Sequence, residues 1–404
     1  MRVDFSPPDI SGLEVKQVGE ALRSGWITTG PRVTEFEQSI AEYCTIKQQR
    51  EVVCLASATA AMELALRILG VGEGDEVITS AYTFSASASV ACHVGARPVL
   101  VDIDPEDINL SACRMEQALT EKTKAIIPVD IGGVPCDYDS ILKVLDSNRK
   151  LFCAGNEMQA VLGRAAVIAD CAHSFGARYK GTSSGTLGDF CCFSFHAVKN
   201  LTTAEGGACI FGDVGGVEAS QIARHLRRYA LHGQSKDALA KTRLGAWEYD
   251  IAFPGYKANM TDLTAAMGLA QLSRYPSMLE RRVDMVARYD RHFQGSRILP
   301  MAHVQKDFEG SHHLYITRIQ GADEGIRNQI IMDLAQQEIA ANVHYKPLPM
   351  MTAYRNLGYD IKDFQNSFDA YQNEITLPLH TSLTDEQIDY VATELLKSVQ
   401  ARLG

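Results

Sequence analysis

Short apolar segments alternate with segments of helical periodicity or turn-forming residues between residues 50 and 210. We predict strands at residues 52–55, 76–79, 98–101, 125–129, 167–169 and 191–195, and a helix at residues 60–69. Apolar strands that alternate with helices form a largely parallel sheet covered on both faces. The chain is therefore predicted to contain an α/β domain, with residues 147–164 as an irregular insertion in one crossover.

Beyond residue 265 the pattern changes to helices mixed with fewer strands. We predict a helix at 275–293, a strand at 313–319, a helix at 324–338 and a strand at 341–345. The last helix begins near Thr384, where Gln387 completes a capping box. This pattern predicts a smaller α+β domain. We place the large domain at residues 1–264 and the small C-terminal domain at residues 265–404.

Composition excludes several classes of function. The formal net charge of −10 argues against a protein that binds nucleic acid, which needs a clustered cationic surface. The ten cysteines show no spacing suited to zinc, so we expect no metal and reduced thiols in a cytoplasmic protein. The N-terminus does not have the pattern of a signal peptide, and polar residues interrupt every long apolar stretch. We therefore expect no membrane span.

Lys199 lies just beyond a predicted buried strand and is followed by the glycine pair Gly206 and Gly207, which indicates a tight turn where the backbone passes close to another group. An amine held in a partly dry site has a lowered pKa and can form a Schiff base with a carbonyl. The ordinary alternative is a solvated lysine on a surface loop.

Asp170 ends another predicted strand, at the edge of the sheet where α/β proteins bind ligands. A buried carboxylate needs a partner, and a protonated pyridine nitrogen is one. The alternative is a carboxylate that caps the next helix. His173, three residues on, could reach a phenolic oxygen of such a cofactor, or it could be a hydrogen-bonded structural histidine.

Small residues precede the predicted helix at 60–69. Ser57, Ala58 and Thr59 offer backbone N–H groups and the positive end of the helix dipole, which suit a phosphate. An ordinary Ser or Thr N-cap has the same pattern. Phe84 follows the next strand and could lie against a flat ring, although core aromatics are more common.

Taken in order, these elements closely resemble the DegT/StrS-type nucleotide-sugar aminotransferases, which depend on pyridoxal phosphate (PLP). The resemblance extends from about residue 20 to 395 and includes the segments 25–31, 255–262 and 343–348. It implies an aspartate aminotransferase-like fold: a large PLP-binding domain with a mostly parallel seven-stranded sheet and an N-terminal substrate loop, plus the small α+β domain.

The resemblance also implies a role for each matching residue. Lys199 would form the Schiff base and move protons, and Asp170 would hold the pyridinium nitrogen. The other implied cofactor contacts are Ala58, Thr59, Phe84, His173, Ser194 and Asn259. The implied substrate contacts are Thr29, Arg228, His344 and Tyr345. Arg228 could equally be an exposed helix charge.

The implied reaction moves an amino group from L-glutamate or L-glutamine to a keto sugar carried on a nucleotide, as amino-sugar, surface-polysaccharide or antibiotic biosynthesis requires. Two alternatives stay open: a PLP-dependent sugar dehydratase, which would carry histidine at position 199, and a non-catalytic regulator that retained the fold. The resemblance further implies a homodimer with shared active sites. Asn259, which follows a long irregular segment beginning near residue 231, would reach the partner's phosphate site.

Overall fold

The fold is described from a computed structural model, which covers residues 1–45, 50–105, 107–235 and 247–404. A seven-stranded sheet forms its centre, with strand order β1-β9-β8-β5-β4-β2-β3. The first nine strands are β1 (Glu51–Leu55), β2 (Glu76–Ser80), β3 (Arg97–Val101), β4 (Thr123–Ile127), β5 (Ala166–Asp170), β6 (Arg178–Tyr179), β7 (Thr182–Ser183), β8 (Phe190–Ser194) and β9 (Gly207–Phe211). Strands β6 and β7 form a separate hairpin.

All neighbouring strands of this sheet are parallel except β9, which runs antiparallel to both β1 and β8. The fold expected from the family resemblance is thus confirmed. Strand β9 was missing from the strands predicted by periodicity, because Gly206 and Gly207 indicated a turn. Gly207 instead begins the strand and pairs with Leu55 on one side and Ser194 on the other. Strand β4 begins and ends two residues earlier than predicted.

Helices cover both faces of the sheet. In chain order they are α1 (Gly12–Arg23), α2 (Pro31–Thr45), α3 (Ala58–Ile68), α4 (Ala86–His93), α5 (Ala112–Ala118), α6 (Tyr138–Ser147), α7 (Glu157–Leu162) and α8 (Ala219–Ala230). The predicted irregular insertion at 147–164 is wrong in part, because it contains α7. The side chain of Asn156 accepts a hydrogen bond from the N–H of Gln159 and caps this helix, and Gly163 ends it in the left-handed conformation.

The C-terminal part contains the longest helix of the described chain. Its elements are α9 (Asp262–Phe293), β10 (Ile298–Pro300), β11 (Phe308–Glu309), β12 (Tyr315–Ile319), α10 (Glu324–Gln336), α11 (Thr352–Asn356), α12 (Gln365–Gln372), β13 (Glu374–Leu377) and α13 (Asp385–Leu403). Strands β10, β12 and β13 form a second sheet, while β11 pairs with β6. Thr384 and Gln387 form the predicted capping box.

Helix α9 contains the predicted helix at 275–293 and already begins at Asp262, because Thr261 caps it and the small residues that follow pack against α2. One strand prediction in this part is wrong. Residues 341–345 do not form a strand. Asn342 makes one isolated bridge to Thr376, and the N–H of His344 then donates to the Glu374 carboxylate instead of a neighbouring strand.

The predicted domain boundary falls in the first turn of α9, so this helix belongs to both predicted domains. A buried cluster around Met285, Ile319 and Leu395 forms the core of the C-terminal part. The side chain of Val3 belongs to that cluster. Backbone hydrogen bonds between Val3 and residues 338 and 340 hold it there. The irregular segment predicted from residue 231 includes residues 236–246, which lie outside the described residues. In the described ranges, no helix is long and apolar enough to cross a membrane.

Candidate active site

A cavity of about 430 Å³ opens beside the carboxyl ends of β5 and β8 and the N-terminus of α3. Nine of the twelve site residues predicted from the sequence line it: Ala58, Thr59, Phe84, Asp170, His173, Ser194, Lys199, His344 and Tyr345. The parallel strands place their ends at one edge of the sheet, which brings together residues distant in sequence. The C-terminal part supplies the opposite wall.

Asp170 is the last residue of β5 and is almost completely buried. One carboxylate oxygen accepts a hydrogen bond from Ser87 Oγ at 2.7 Å, and the other accepts one from the N–H of Ala172 at 3.1 Å. Burial raises the pKa of this carboxyl, which these hydrogen bonds and the positive charge of Lys199 counteract. Because a turn and not a helix follows Asp170, the alternative of a helix cap does not apply.

Lys199 lies across the cavity in the loop after β8. Burial lowers the pKa of its amine to about 8, and the opposing attraction of Asp170 is the smaller effect. Within the described ranges, no side chain or backbone group accepts a hydrogen bond from Lys199 Nζ. This amine therefore differs from a solvated surface lysine, because it loses its proton at a lower pH and the neutral form can attack a carbonyl.

His173 is held in one tautomer by its neighbours. Its Nδ1 accepts a hydrogen bond from the N–H of Gly132 at 3.2 Å, so the proton of the neutral ring sits on Nε2. Burial keeps the pKa of this imidazole well below its usual value. Nε2 lies 3.1 Å from the hydroxyl of Tyr345 and donates toward the cavity wall. His173 is thus a neutral hydrogen-bond donor at this site.

The N-terminus of α3 forms the floor of the cavity. Ser57 caps the helix by accepting a hydrogen bond from the N–H of Ala60, which leaves the N–H groups of Ala58 and Thr59 at the open end of the helix. Gly207 passes so close that an added Cβ would lie 2.5 Å from the nitrogen of Ala58. This close packing fixes the helix end that faces the cavity.

Aromatic side chains form the walls. Phe84 is 61% exposed, and its ring centroid lies 6.1 Å from that of Tyr345. Ser194 ends β8 beside the start of β9. His344 stacks on Phe5, with 5.6 Å between the ring centroids. A flat ring between Phe84 and the sheet would therefore have an apolar face to rest on.

The other three predicted residues lie outside this cavity. Asn259 donates a hydrogen bond to Thr29 Oγ1 at 2.5 Å, and the two residues form a separate polar cluster. Backbone bonds between residues 55–56 and 258–259 hold Asn259 at the edge of the sheet. Arg228, in the last turn of α8, is half-buried with its guanidinium over the ring of Phe253. Their roles in binding stay predictions.

Several residues at the cavity were not found from the sequence. Ser87 binds Asp170 from α4, and no local pattern distinguishes it from other helix serines. His313 lies against His173, with 4.5 Å between the ring centroids, and binds Asn200. Phe5 and Ser6 reach the cavity from the N-terminal segment. Only the adjacency of Asn200 to Lys199 could have drawn attention to this part of the site.

These groups fit a pyridoxal phosphate. The open N–H groups at α3 suit a phosphate, and the space left by Gly207 lets the strand pack behind them. The buried carboxylate of Asp170 requires a cationic partner, and a pyridinium provides one. The amine of Lys199 and the Nε2–H of His173 complement the aldehyde and the phenolic oxygen of the same ring.

Comparisons with known proteins agree with this geometry. The sequence profile of the DegT/DnrJ/EryC1/StrS aminotransferase family matches residues 8–396. SpsC, the spore coat polysaccharide biosynthesis protein of Bacillus subtilis strain 168, is 38% identical over 391 residues, which cover 96% of this chain and 94% of SpsC.

Solved structures give the same result. The PMP form of Spr1654 from Streptococcus pneumoniae superposes with a TM-score of 0.96 at 50% identity, and all of both chains is covered. Its PLP form gives 0.95 at 48% identity. PseC of Helicobacter pylori, an aminotransferase involved in the biosynthesis of pseudoaminic acid, gives 0.86 at 27% identity and covers 99% of this chain and 100% of PseC.

Proposed function

The chain belongs to the DegT/DnrJ/EryC1/StrS aminotransferase family of PLP-dependent enzymes, and from that premise we propose its substrates. The acceptor is a keto sugar carried on a nucleotide, and the donor is L-glutamate or L-glutamine. The product is an amino sugar for a surface polysaccharide or a related glycan. The names of SpsC and PseC support this direction, because both connect such enzymes with the biosynthesis of unusual sugars or polysaccharides.

The observation that carries the proposal is the position of Lys199 and Asp170 in one cavity beside an open helix N-terminus. When bound there, PLP supplies a ring that withdraws electrons from the carbon that carries the nitrogen. Asp170 would hold a proton on the ring nitrogen, and Ala58 and Thr59 would bind the phosphate. Lys199 Nζ would take a proton from the donor and return it to the acceptor.

The test uses purified holoenzyme and two measurements. An absorbance band at roughly 410–430 nm should disappear when glutamate or glutamine is added. Incubation with donor labelled with ¹⁵N and a panel of nucleotide-linked and free keto sugars should then place the label on one class of sugar, as read by mass spectrometry. Loss of the band without transfer to any sugar would contradict the proposed acceptor, while leaving the aminotransferase assignment intact.

Two further properties belong to this proposal. We expect a homodimer in which the Asn259 and Thr29 cluster of one chain completes the site of the other. We also expect the protein in the cytoplasm, where its ten cysteines stay reduced. All ten are free, and seven of them are buried in the two cores that flank the central sheet.

A further inference from the structure

Two buried polar residues lie behind His344, on the side away from the cavity. Glu374 begins β13 and is 1% exposed, and Thr376 on the same strand is completely buried. Thr376 Oγ1 lies 2.5 Å from Glu374 Oε1 and 3.0 Å from His344 Nδ1. The N–H of His344 donates to Glu374 Oε2 at 2.9 Å. The three residues therefore form a closed set of hydrogen bonds.

The direction of each hydrogen bond follows from the carboxylate. Above the pKa of Glu374, which burial raises to about 7, its side chain is an ionised carboxylate that only accepts hydrogen bonds, so the hydroxyl of Thr376 must donate to it. The single hydroxyl proton of Thr376 is then used, and Oγ1 accepts from His344. The proton of the neutral His344 ring accordingly sits on Nδ1, and the lone pair sits on Nε2.

The position of the ring is fixed as well as its tautomer. His344 lies against Phe5 with 17° between the ring planes, and Tyr345 contacts it edge-on. Burial and the charge of Lys199 lower the pKa of His344 to about 4, so the ring is neutral near pH 7. Among the described residues, no protein group bonds to His344 Nε2, and the ring lines the cavity.

We propose that Glu374 and Thr376 are positioning residues that make His344 Nε2 a hydrogen-bond acceptor for a hydroxyl of the acceptor substrate. The inference rests on the proposed function, since it assumes that a hydroxyl-bearing ring enters the cavity. In this proposal Nε2 of His344 accepts a hydrogen bond, whereas Nε2 of His173 carries the ring proton and donates one. The cavity thereby discriminates between a substrate that donates at this position and one that only accepts.

We call the hydrogen bonds from Glu374 through Thr376 to His344 the relay. The substitution E374Q tests the relay with little change in the shape of the side chain. One position of the glutamine amide must remain an oxygen, because the N–H of His344 donates to it. The amide NH₂ then faces Thr376 and donates to Oγ1. The Thr376 hydroxyl then has no carboxylate to donate to, and donating to His344 Nδ1 satisfies its buried proton, which moves the ring proton to Nε2. E374Q is therefore expected to change His344 from an acceptor into a donor.

The tautomer can be measured without substrate by NMR of the holoenzyme labelled with ¹⁵N-histidine. The sample should be at about pH 8.5, where Glu374, whose pKa burial raises to about 7, is ionised. Signals that disappear in H344Q identify His344. We expect the Nδ1–H tautomer in the wild type and in T376S, and the Nε2–H tautomer in E374Q. A wild-type ring protonated on Nε2, or an unchanged tautomer in E374Q, would overturn the proposal.

The variant T376V removes a buried hydroxyl, and a second variant controls for that loss alone. Thr317 on β12 is also completely buried, but it donates to the backbone oxygen of Ile375. T376V should leave His344 without a fixed tautomer, whereas T317V should lower thermal stability comparably and leave the His344 signals unchanged. If T317V alters the tautomer as much as T376V does, the effect comes from general disturbance of the sheet and the relay is refuted.

Kinetics complete the test. In E374Q, kcat/KM for the keto sugar should fall about 10- to 100-fold, because the Nε2–H of His344 would face a substrate hydroxyl that also donates. T376V should lower the same constant, and T376S should recover most of that loss. The half-reaction with the amino-acid donor should change about twofold at most. If the wild type accepts no sugar, the proposed function fails, yet the NMR result still decides the relay. Equal losses in both half-reactions would contradict a role at the acceptor hydroxyl.

Discussion

At the scale of single residues, the site depends on two opposite charges placed where water is scarce. Burial favours the neutral form of Lys199 and of Asp170, while their mutual attraction favours the charged forms. For Lys199 burial is the larger effect, and its pKa falls to about 8. Lys180 shows the contrary case, since a hydrogen bond from its exposed ammonium to Asp139 raises its pKa. A nucleophilic amine at moderate pH is thus a property of position 199.

We predict that borohydride reduction of the holoenzyme attaches the phosphopyridoxyl group to the peptide that contains Lys199. In the cofactor-free protein, the rate at which PLP attaches should rise with pH through about 8 and then level off, because the amine reacts only when deprotonated. Peptide mapping and stopped-flow absorbance measure the two effects. A label on Lys180 or Lys257, or a rate that keeps rising toward pH 10, would contradict the assignment.

The second residue-scale prediction concerns the carboxylate. D170N should retain bound PLP but slow turnover by on the order of a hundredfold or more, because an amide cannot keep the ring nitrogen protonated. S87A should give a smaller loss, since Ser87 Oγ donates to Asp170 but Ser87 does not line the cavity. Cofactor content by absorbance and single-turnover rates with the amino donor separate binding from catalysis. Near-normal rates in D170N would show that the ring nitrogen lies elsewhere.

At the scale of elements, the floor of the cavity depends on the contact between β9 and the start of α3. Gly207 allows the strand to approach the backbone of Ser57 and Ala58, where an added Cβ would lie 2.4 Å from the carbonyl carbon of Ser57. No side chain can be accommodated without moving the helix end. The antiparallel strand that interrupts the parallel order thus also determines the position of the helix N-terminus.

We predict that G207A weakens PLP binding at least about tenfold and lowers the free energy of unfolding by about 1–3 kcal/mol. The cause is displacement of the N–H groups of Ala58 and Thr59 from the phosphate position. G212A, just beyond the other end of β9, is the matched control, because a Cβ there meets nothing within 4 Å. Equilibrium titration with PLP and thermal denaturation measure both variants. Equal PLP affinity in G207A and the wild type would exclude this contact as a determinant of the site.

The same region shows what the sequence could and could not predict. Strands such as β2 and β5 were predictable, because continuous apolar runs mark strands buried on both faces. Strand β9 was not, since its glycines indicate a turn unless their close neighbours in space are known. Asp170 and Lys199 could be identified because they end or follow such runs. Ser87, His313 and the Glu374–Thr376 pair depend on tertiary packing that no local pattern records.

At the scale of the whole molecule, distant parts of the chain close one cavity. The N-terminal segment pairs with residues 338–340 through Val3 and then passes the cavity with Phe5 and Ser6. Helix α9 packs against α1 and α2 on one side and against α13 and β10 of the C-terminal part on the other, and so connects the two parts of the molecule. Asn259, the predicted contact with the partner's phosphate site, forms a cluster with Thr29, a predicted substrate contact, and this cluster lies outside the cavity of their own chain.

The last prediction tests whether two chains share each site. N259A should lose PLP more readily than the wild type on dialysis and remain a dimer by sedimentation, since Asn259 is only half-buried and its removal leaves the adjacent Thr261 cap in place.

A heterodimer of K199A and N259A chains, isolated with two tags, should contain one complete site. Its Lys199 comes from the N259A chain, and its Asn259 comes from the K199A chain. We expect about half the activity of the wild-type dimer, by the symmetry of a twofold axis. If Asn259 instead serves its own chain, the heterodimer has one inactive and one weakened site, and its activity cannot exceed half that of the N259A homodimer.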